Sequence, residues 1–329
     1  MTADPTSVLT VPEIDIERWR TGDAAARADI QQQVDTALAT TGFLVITNHG
    51  VPDQLVSDVR DTSAEVFALP TETKATYRQS AGIGGPGWCP IGAEANAYAS
   101  GEETPPDLKE AWSIAPIGEG AMVPTSRGIK PSHNLFPAEV PAFEGAVRGY
   151  LDAGMALAQD LFELLALAAE VPADTFAKLC SSPLHTMNLT LYPPLVNGDD
   201  VIEPKPNQYR IGPHCDFGTI TILHREPSDP PLEVQTLDGS WIAVPDVPGA
   251  FVVNVGDQLA YWSGGRWRSN PHRILAPVGD SARESKLSLV LFIETDVGAM
   301  LQPIGQPDAE PMDAVQFIVD KLAAIDMAI

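Results

Sequence analysis

Apolar positions fall into two regimes along the chain. In the first half they recur at helical spacing. Ile30, Val34, Ala37 and Leu38 predict a helix over 24–40 that stops at Gly42. The run Phe43–Thr47 predicts a buried strand, preceded by a short alternating strand over 11–16 and followed by the turn Asn48-His49-Gly50-Val51-Pro52. Leu55, Val59, Val66 and Phe67 predict a second helix from Asp53 to Pro70, and a long apolar stripe over 138–171 predicts a supporting helix. Between 80 and 135, Gly, Pro and polar residues dominate, which marks a functional loop or lid.

The second regime begins near His185. Short apolar runs separated by turns predict strands over 186–192, 211–223, 232–236, 241–244, 250–255, 259–262, 268–276 and 286–294, with Asp238-Gly239 as a hairpin turn. A helix over 313–327 closes the chain. No helices alternate with these strands and no phosphate-binding glycine loop occurs. The expected fold is mainly β with flanking α: an antiparallel sandwich or jelly-roll core supported by helices. We expect a single domain over 1–329, with 1–180 as helical support and lid, 185–295 as core and 310–329 as a C-terminal helix.

Composition narrows the function. With 20 basic against 44 acidic residues the net charge is −24, which argues against nucleic acid or an anionic membrane as partner. Cys89, Cys180 and Cys215 are too few and too scattered for a disulfide framework or a Cys-rich zinc site. Residues 1–10 lack a leader pattern, and no apolar run approaches the ~20 residues of a membrane span. A cytoplasmic protein with a small-molecule substrate and no obligate protein partner is expected.

The chemistry centres on 209–224. His214 and Asp216 are two positions apart, so an extended backbone would point both to one face, with Cα atoms about 6.6 Å apart. His272, in another strand-like run, is the candidate third ligand. Two histidines and one carboxylate with open positions form the facial triad of non-haem Fe(II) oxygenases, although a lone His-x-Asp is more often a surface or capping pair. His49 lacks a nearby partner and reads as structural. Cys215 should point away from a metal, and His224 lies too far along the strand to be a ligand.

The chain resembles the isopenicillin N synthase-like branch of the Fe(II)/2-oxoglutarate-dependent oxygenases over nearly its whole length. The likeness rests on Gly42 to Pro52, Phe67-Ala68-Leu69-Pro70, Asp107 to Trp112 and Asn134-Leu135-Phe136-Pro137. It continues through Leu191-Tyr192-Pro193-Pro194, His214-Cys215-Asp216, Asp238 to Trp241, Asn254-Val255-Gly256-Asp257 and Asn270-Pro271-His272-Arg273. The resemblance implies a double-stranded β-helix with iron held by His214, Asp216 and His272. It further implies 2-oxoglutarate and O2 as co-substrates, with succinate and CO2 released as a small molecule is hydroxylated, desaturated or cyclised. A cofactor-independent iron oxidase, a non-catalytic binding protein on the same fold and, more weakly, a zinc hydrolase are the rivals.

One departure stands out. Where the family carries Arg-x-Ser to grip the far carboxylate of 2-oxoglutarate, this chain reads Lys286-Leu287-Ser288. A lysine meets a carboxylate as a point charge, whereas arginine offers a bidentate fork. The expected anchor is therefore Lys286 with Ser288 and the hydroxyl of Tyr192; Arg210 or Arg283 is the alternative cation. The resemblance also points to Trp88, Tyr98, Thr221, Leu223 and Phe292 as substrate-pocket residues.

Overall fold

The computed structural model describes residues 9–79 and 82–326; Met327 of the expected last helix and most of the 1–10 segment lie outside the described residues. The helices are α1 (Ile16–Thr21), α2 (Ala24–Thr40), α3 (Asp53–Ala68), α4 (Thr71–Thr76), α5 (Phe143–Ala168), α6 (Asp257–Trp262) and α7 (Ala314–Ile325). The first half contributes strands β1 (Glu13–Asp15), β2 (Phe43–Thr47), β3 (Gly87–Cys89), β4 (Glu110–Ile114), β5 (Met122–Thr125) and β6 (Gly128–Pro131). Then come β7 (His185–Tyr192), β8 (Val196–Asn197), β9 (Asp200–Val201), β10 (Tyr209–His214), β11 (Ile220–Arg225) and β12 (Leu232–Gln235). The last are β13 (Trp241–Ala243), β14 (Phe251–Val255), β15 (His272–Leu275), β16 (Lys286–Ile293), β17 (Met300–Leu301) and β18 (Met312–Asp313).

An eight-stranded sheet in the order β1-β2-β14-β11-β16-β7-β4-β3 faces a four-stranded sheet, β10-β15-β12-β13. Side chains of both sheets line one cavity between them, the arrangement of a jelly roll. Alternation divides the large sheet cleanly. Met187 and Leu189 of β7, Ile220 and Ile222 of β11, and Leu287, Leu289, Leu291 and Ile293 of β16 join the core beneath α5, where Leu157, Leu161 and Leu165 meet them. Burying each such side chain contributes about 1.5–3 kcal/mol. A one-residue slip would turn the whole set toward the cavity, so packing fixes the register.

The N-terminal helices brace this face. Asp23 caps α2 by accepting from the Ala26 N–H at 2.9 Å. Gly42 then turns the chain at φ 72°, where an added Cβ would lie 2.3 Å from the Arg268 carbonyl oxygen, so glycine is required. The turn delivers β2 beside β14.

Three expectations change. The apolar run over 211–223 is two strands, because residues 215–219 cross from the small sheet to the large one. The run over 259–262 is helix α6; Leu259 and Trp262 are three apart, a spacing that a short apolar run shares with a helix. The irregular stretch over 80–135 holds β4, fully buried and paired with β7, as well as the β5–β6 hairpin. Boundaries shift too. The strand expected over 268–276 starts only at His272, since Pro271 has no N–H to donate. No helix among the described residues is long and apolar enough to cross a membrane.

Candidate active site

His214 is the last residue of β10 and His272 the first of β15, and the two pair directly across the strands. Their ring centroids lie 4.3 Å apart. Asp216 follows in the link between sheets, held by its carbonyl, which accepts from the Asp257 N–H at 2.8 Å. The link, rather than a continuous strand, thus brings Asp216 round to His214. Asp216 Oδ1 sits 3.7 Å from His214 Nε2 and 3.6 Å from His272 Nε2, and the three ligand atoms lie within 4.8 Å of one another. All three residues are buried.

The surrounding hydrogen bonds leave those atoms available. His214 Nδ1 lies 2.8 Å from the Gly212 carbonyl and His272 Nδ1 3.3 Å from that of Asn270, so each Nδ1–H donates and each Nε2 keeps its lone pair. Asp216 Oδ2 accepts from Thr221 Oγ1 at 2.6 Å and from Asn254 Nδ2 at 2.7 Å, which turns Oδ1 toward the imidazoles. Burial, with His272 alongside, pushes the His214 pKa well below the usual histidine range and keeps it neutral. Burial would raise the Asp216 carboxyl, but the facing imidazoles and the Asn254 and Thr221 bonds outweigh it and hold the pKa below its ordinary value. Two imidazole nitrogens and one carboxylate oxygen converging in this way fit a divalent ion with open positions. Asn254→Ala is expected to weaken metal affinity about 10–100-fold with the fold intact, measurable by Mn(II) or Co(II) titration.

Beside the triad lies a cavity of about 140 Å³. One row across the large sheet is Thr190, Ser288 and Arg225; the next are Asn188, Val290 and Leu223, then Thr186, Phe292 and Thr221. Tyr192 lines the cavity beyond the first row, opposite Lys286. The expected residues Tyr192, Ser288, Thr221, Leu223 and Phe292 are therefore brought together with the triad, although the Thr221 hydroxyl is spent on Asp216. Lys286 is not among the lining residues; its Nζ bonds Glu284 Oε2 at 2.8 Å. Arg210 is buried and does not line the cavity; its Nη2 donates to the Glu284 carbonyl at 2.9 Å, and its guanidinium lies 6.0 Å from the ring centroid of Tyr192. Arg283 lies in the short 3-10 turn over Gly279–Arg283 and does not line the cavity either.

Trp88 and Tyr98 do not line this cavity. The Trp88 indole N–H donates to Glu110 Oε2 at 2.7 Å, which draws the ring to a second, smaller cavity. The remaining expectations concern bystanders. The Cys215 thiol donates to the Ser269 carbonyl at 3.3 Å, away from the triad. His224 contacts Arg60 and Phe251, and His49 stacks on Phe251 at 4.1 Å with its Nε2 on the Gly249 carbonyl.

Among the lining residues that escape a reading of sequence alone are Glu94, Lys109, Arg225, Asn254 and Glu294. Glu94 and Lys109 form a buried ion pair. Arg225 pairs with Asp246 and donates to the Val244 and Pro245 carbonyls at 2.9 and 3.0 Å. Glu294 had a usable signal, since it continues the even-numbered face of β16. Burial pushes its pKa up to about 8. The unfolded chain ionises near pH 4.5 while the native carboxyl stays protonated, so Glu294 costs nothing below that pH and progressively more up to about 8. Glu294→Gln is expected to stabilise the protein by about 2–4 kcal/mol at pH 9 and by nearly nothing at pH 4, read by denaturant unfolding at both pH values.

Residues 11–137 match the family model described as non-haem dioxygenase in morphine synthesis N-terminal, and residues 184–295 match that of the 2OG-Fe(II) oxygenase superfamily. The chain is 33% identical over 298 residues to the validamycin A dioxygenase of Streptomyces hygroscopicus subsp. limoneus, covering 91% of this chain and 80% of that one. It is 31% identical over 325 residues to a 2-oxoglutarate-dependent dioxygenase of Didymella fabae, covering 95% of each. Among solved structures it resembles a full-length Neurospora crassa protein in complex with alpha-KG, with a TM-score of 0.82, 23% identity and 97% of both chains covered. Fold, triad and relatives agree that the chain belongs to the 2OG-Fe(II) oxygenase superfamily, in its isopenicillin N synthase-like group, and is an enzyme that uses Fe(II), 2-oxoglutarate and O2 to oxidise small molecules.

Proposed function

We propose that His214, Asp216 and His272 hold the iron and that 2-oxoglutarate lies along the cavity toward Tyr192 and Ser288. The observation that carries this reading is the convergence of the two Nε2 atoms and Asp216 Oδ1 at a cavity whose other end is hydroxyl-rich. Iron and 2-oxoglutarate, when bound, supply the O2-dependent oxidation, with 2-oxoglutarate converted to succinate and CO2. The protein's own contribution is to fix the ligand atoms, keep the His214 imidazole neutral and exclude water from the buried triad.

At the far carboxylate we assign Lys286 with the Ser288 and Tyr192 hydroxyls. Lys286 faces Tyr192 across the strands, and its present partner Glu284 is more than half exposed. Such a surface pair is worth about 0–1 kcal/mol, so exchanging Glu284 for a buried carboxylate is easy. A second reading gives this role to Arg225, which sits directly opposite Ser288. Its guanidinium is already committed to Asp246 and two carbonyls, a costlier set to break.

We further infer one oxygenase domain with a cytoplasmic site of action and no nucleic-acid, membrane or obligate protein partner, supported by the net charge of −24 and three free cysteines. The test is succinate formation from 2-oxoglutarate on adding candidate substrates, beginning with validamycin A, after which the Streptomyces relative is named. Substrate-stimulated succinate supports the reading. O2 consumption with product formation but no succinate would move the enzyme to the direct-oxidase class, and no turnover with any compound would favour a binding protein.

A further inference from the structure

Most of the ionisable side chains lining the cavity are matched. Asp216 faces the imidazoles, Glu94 is bonded to Lys109, and Arg225 to Asp246. Glu294 is not. It follows directly on β16 and, like Ser288, Val290 and Phe292, lines the cavity. It is 7% exposed, and among the described residues its Oε2 is buried with no hydrogen-bond partner.

The side chain is also held in place. The Glu294 N–H donates to the Leu184 carbonyl at 2.9 Å, and its Cγ lies so close over Gly218 that a Cβ there would be 3.2 Å away. The carboxyl is thereby set above the link that carries Asp216. The lining also includes apolar side chains, Phe217, Phe292 and Leu322. An ionised carboxylate in such a place is costly until a charge complements it. Burial accordingly keeps this one protonated up to about pH 8. A group that only filled space would be served as well by a neutral residue of similar size.

We infer that Glu294 is a specificity-determining residue that receives a cationic nitrogen, an ammonium or guanidinium on an apolar stem, in the oxidised substrate. This rests on the reading of the cavity as the active site. A neutral hydroxyl or amide donor would satisfy Oε2 of the protonated acid, whereas only a cationic nitrogen also offsets the cost of ionising it in this place.

The test uses the full chain loaded anaerobically with Fe(II) and 2-oxoglutarate, whose weak visible absorption reports an intact site. Thermal shift is measured with n-butylammonium, n-butylguanidinium, n-butanol and butyramide. The cations are expected to raise Tm at concentrations where the alcohol and amide do nothing. In Glu294→Gln their apparent affinity should fall roughly ten- to a hundredfold while the absorption persists. The inference is overturned if the neutral probes bind as well as the cations, if Glu294→Gln keeps the preference, or if no cation binds to a protein that shows the absorption. A wild-type protein without the absorption would instead overturn the active-site reading beneath it.

Discussion

Replacing His214 or His272 by alanine is expected to abolish turnover and to weaken metal binding by more than the ~10–100-fold that loss of an outer hydrogen-bond partner costs. Each change removes one of three converging ligand atoms and leaves Asp216 Oδ1 facing a single imidazole. The fold should survive, because His214 and His272 lie at strand ends and the core beneath α5 does not use them. Co(II) titration followed by its visible spectrum, together with circular dichroism, separates loss of metal from loss of structure. Unchanged Co(II) affinity in either variant would remove that histidine from the site. Asp216→Ala should behave alike, with an added cost, since Thr221 and Asn254 would lose their shared acceptor.

The second large effect concerns the co-substrate. Lys286→Ala is expected to raise the Kd for 2-oxoglutarate about 10–100-fold, as a lost charge-assisted hydrogen bond would, with metal binding unchanged. Ser288→Ala should cost about 5–10-fold. Lys286→Arg should bind at least as tightly as the natural chain, because a planar fork meets a carboxylate with two parallel bonds. Arg225→Ala should mainly destabilise the protein, since it leaves Asp246 without its cation. If instead Arg225→Ala loses 2-oxoglutarate while Lys286→Ala keeps it, the anchor lies on β11 opposite Ser288.

The His-Asp-His cluster was legible because chemistry and local spacing coincide in His214-Cys215-Asp216, and Asn270-Pro271-His272 follows a recognisable family pattern. The reason these three residues converge was not legible. It depends on residues 215–219 leaving one sheet for the other, a tertiary event with no local signature beyond Gly218. Thr221 and Asn254 meet Asp216 only because β11 pairs with β14 in one register. Leu259 and Trp262 fit strand and helix equally, and packing of Leu259 and Trp262 in the core decided for helix. β4 was hidden because Pro and Gly surround it, although every one of its residues is buried. The orientation of Trp88 was hidden for a related reason: the partner that aims its indole, Glu110, is 22 residues away.

The most direct measurement is an anaerobic titration of the Fe(II)-loaded protein with 2-oxoglutarate, followed in the visible spectrum. A weak charge-transfer band should grow to one equivalent, vanish in His272→Ala and require more 2-oxoglutarate in Lys286→Ala. Iron bound with no band at saturating 2-oxoglutarate would contradict the assignment of this cavity as the site where metal and co-substrate meet.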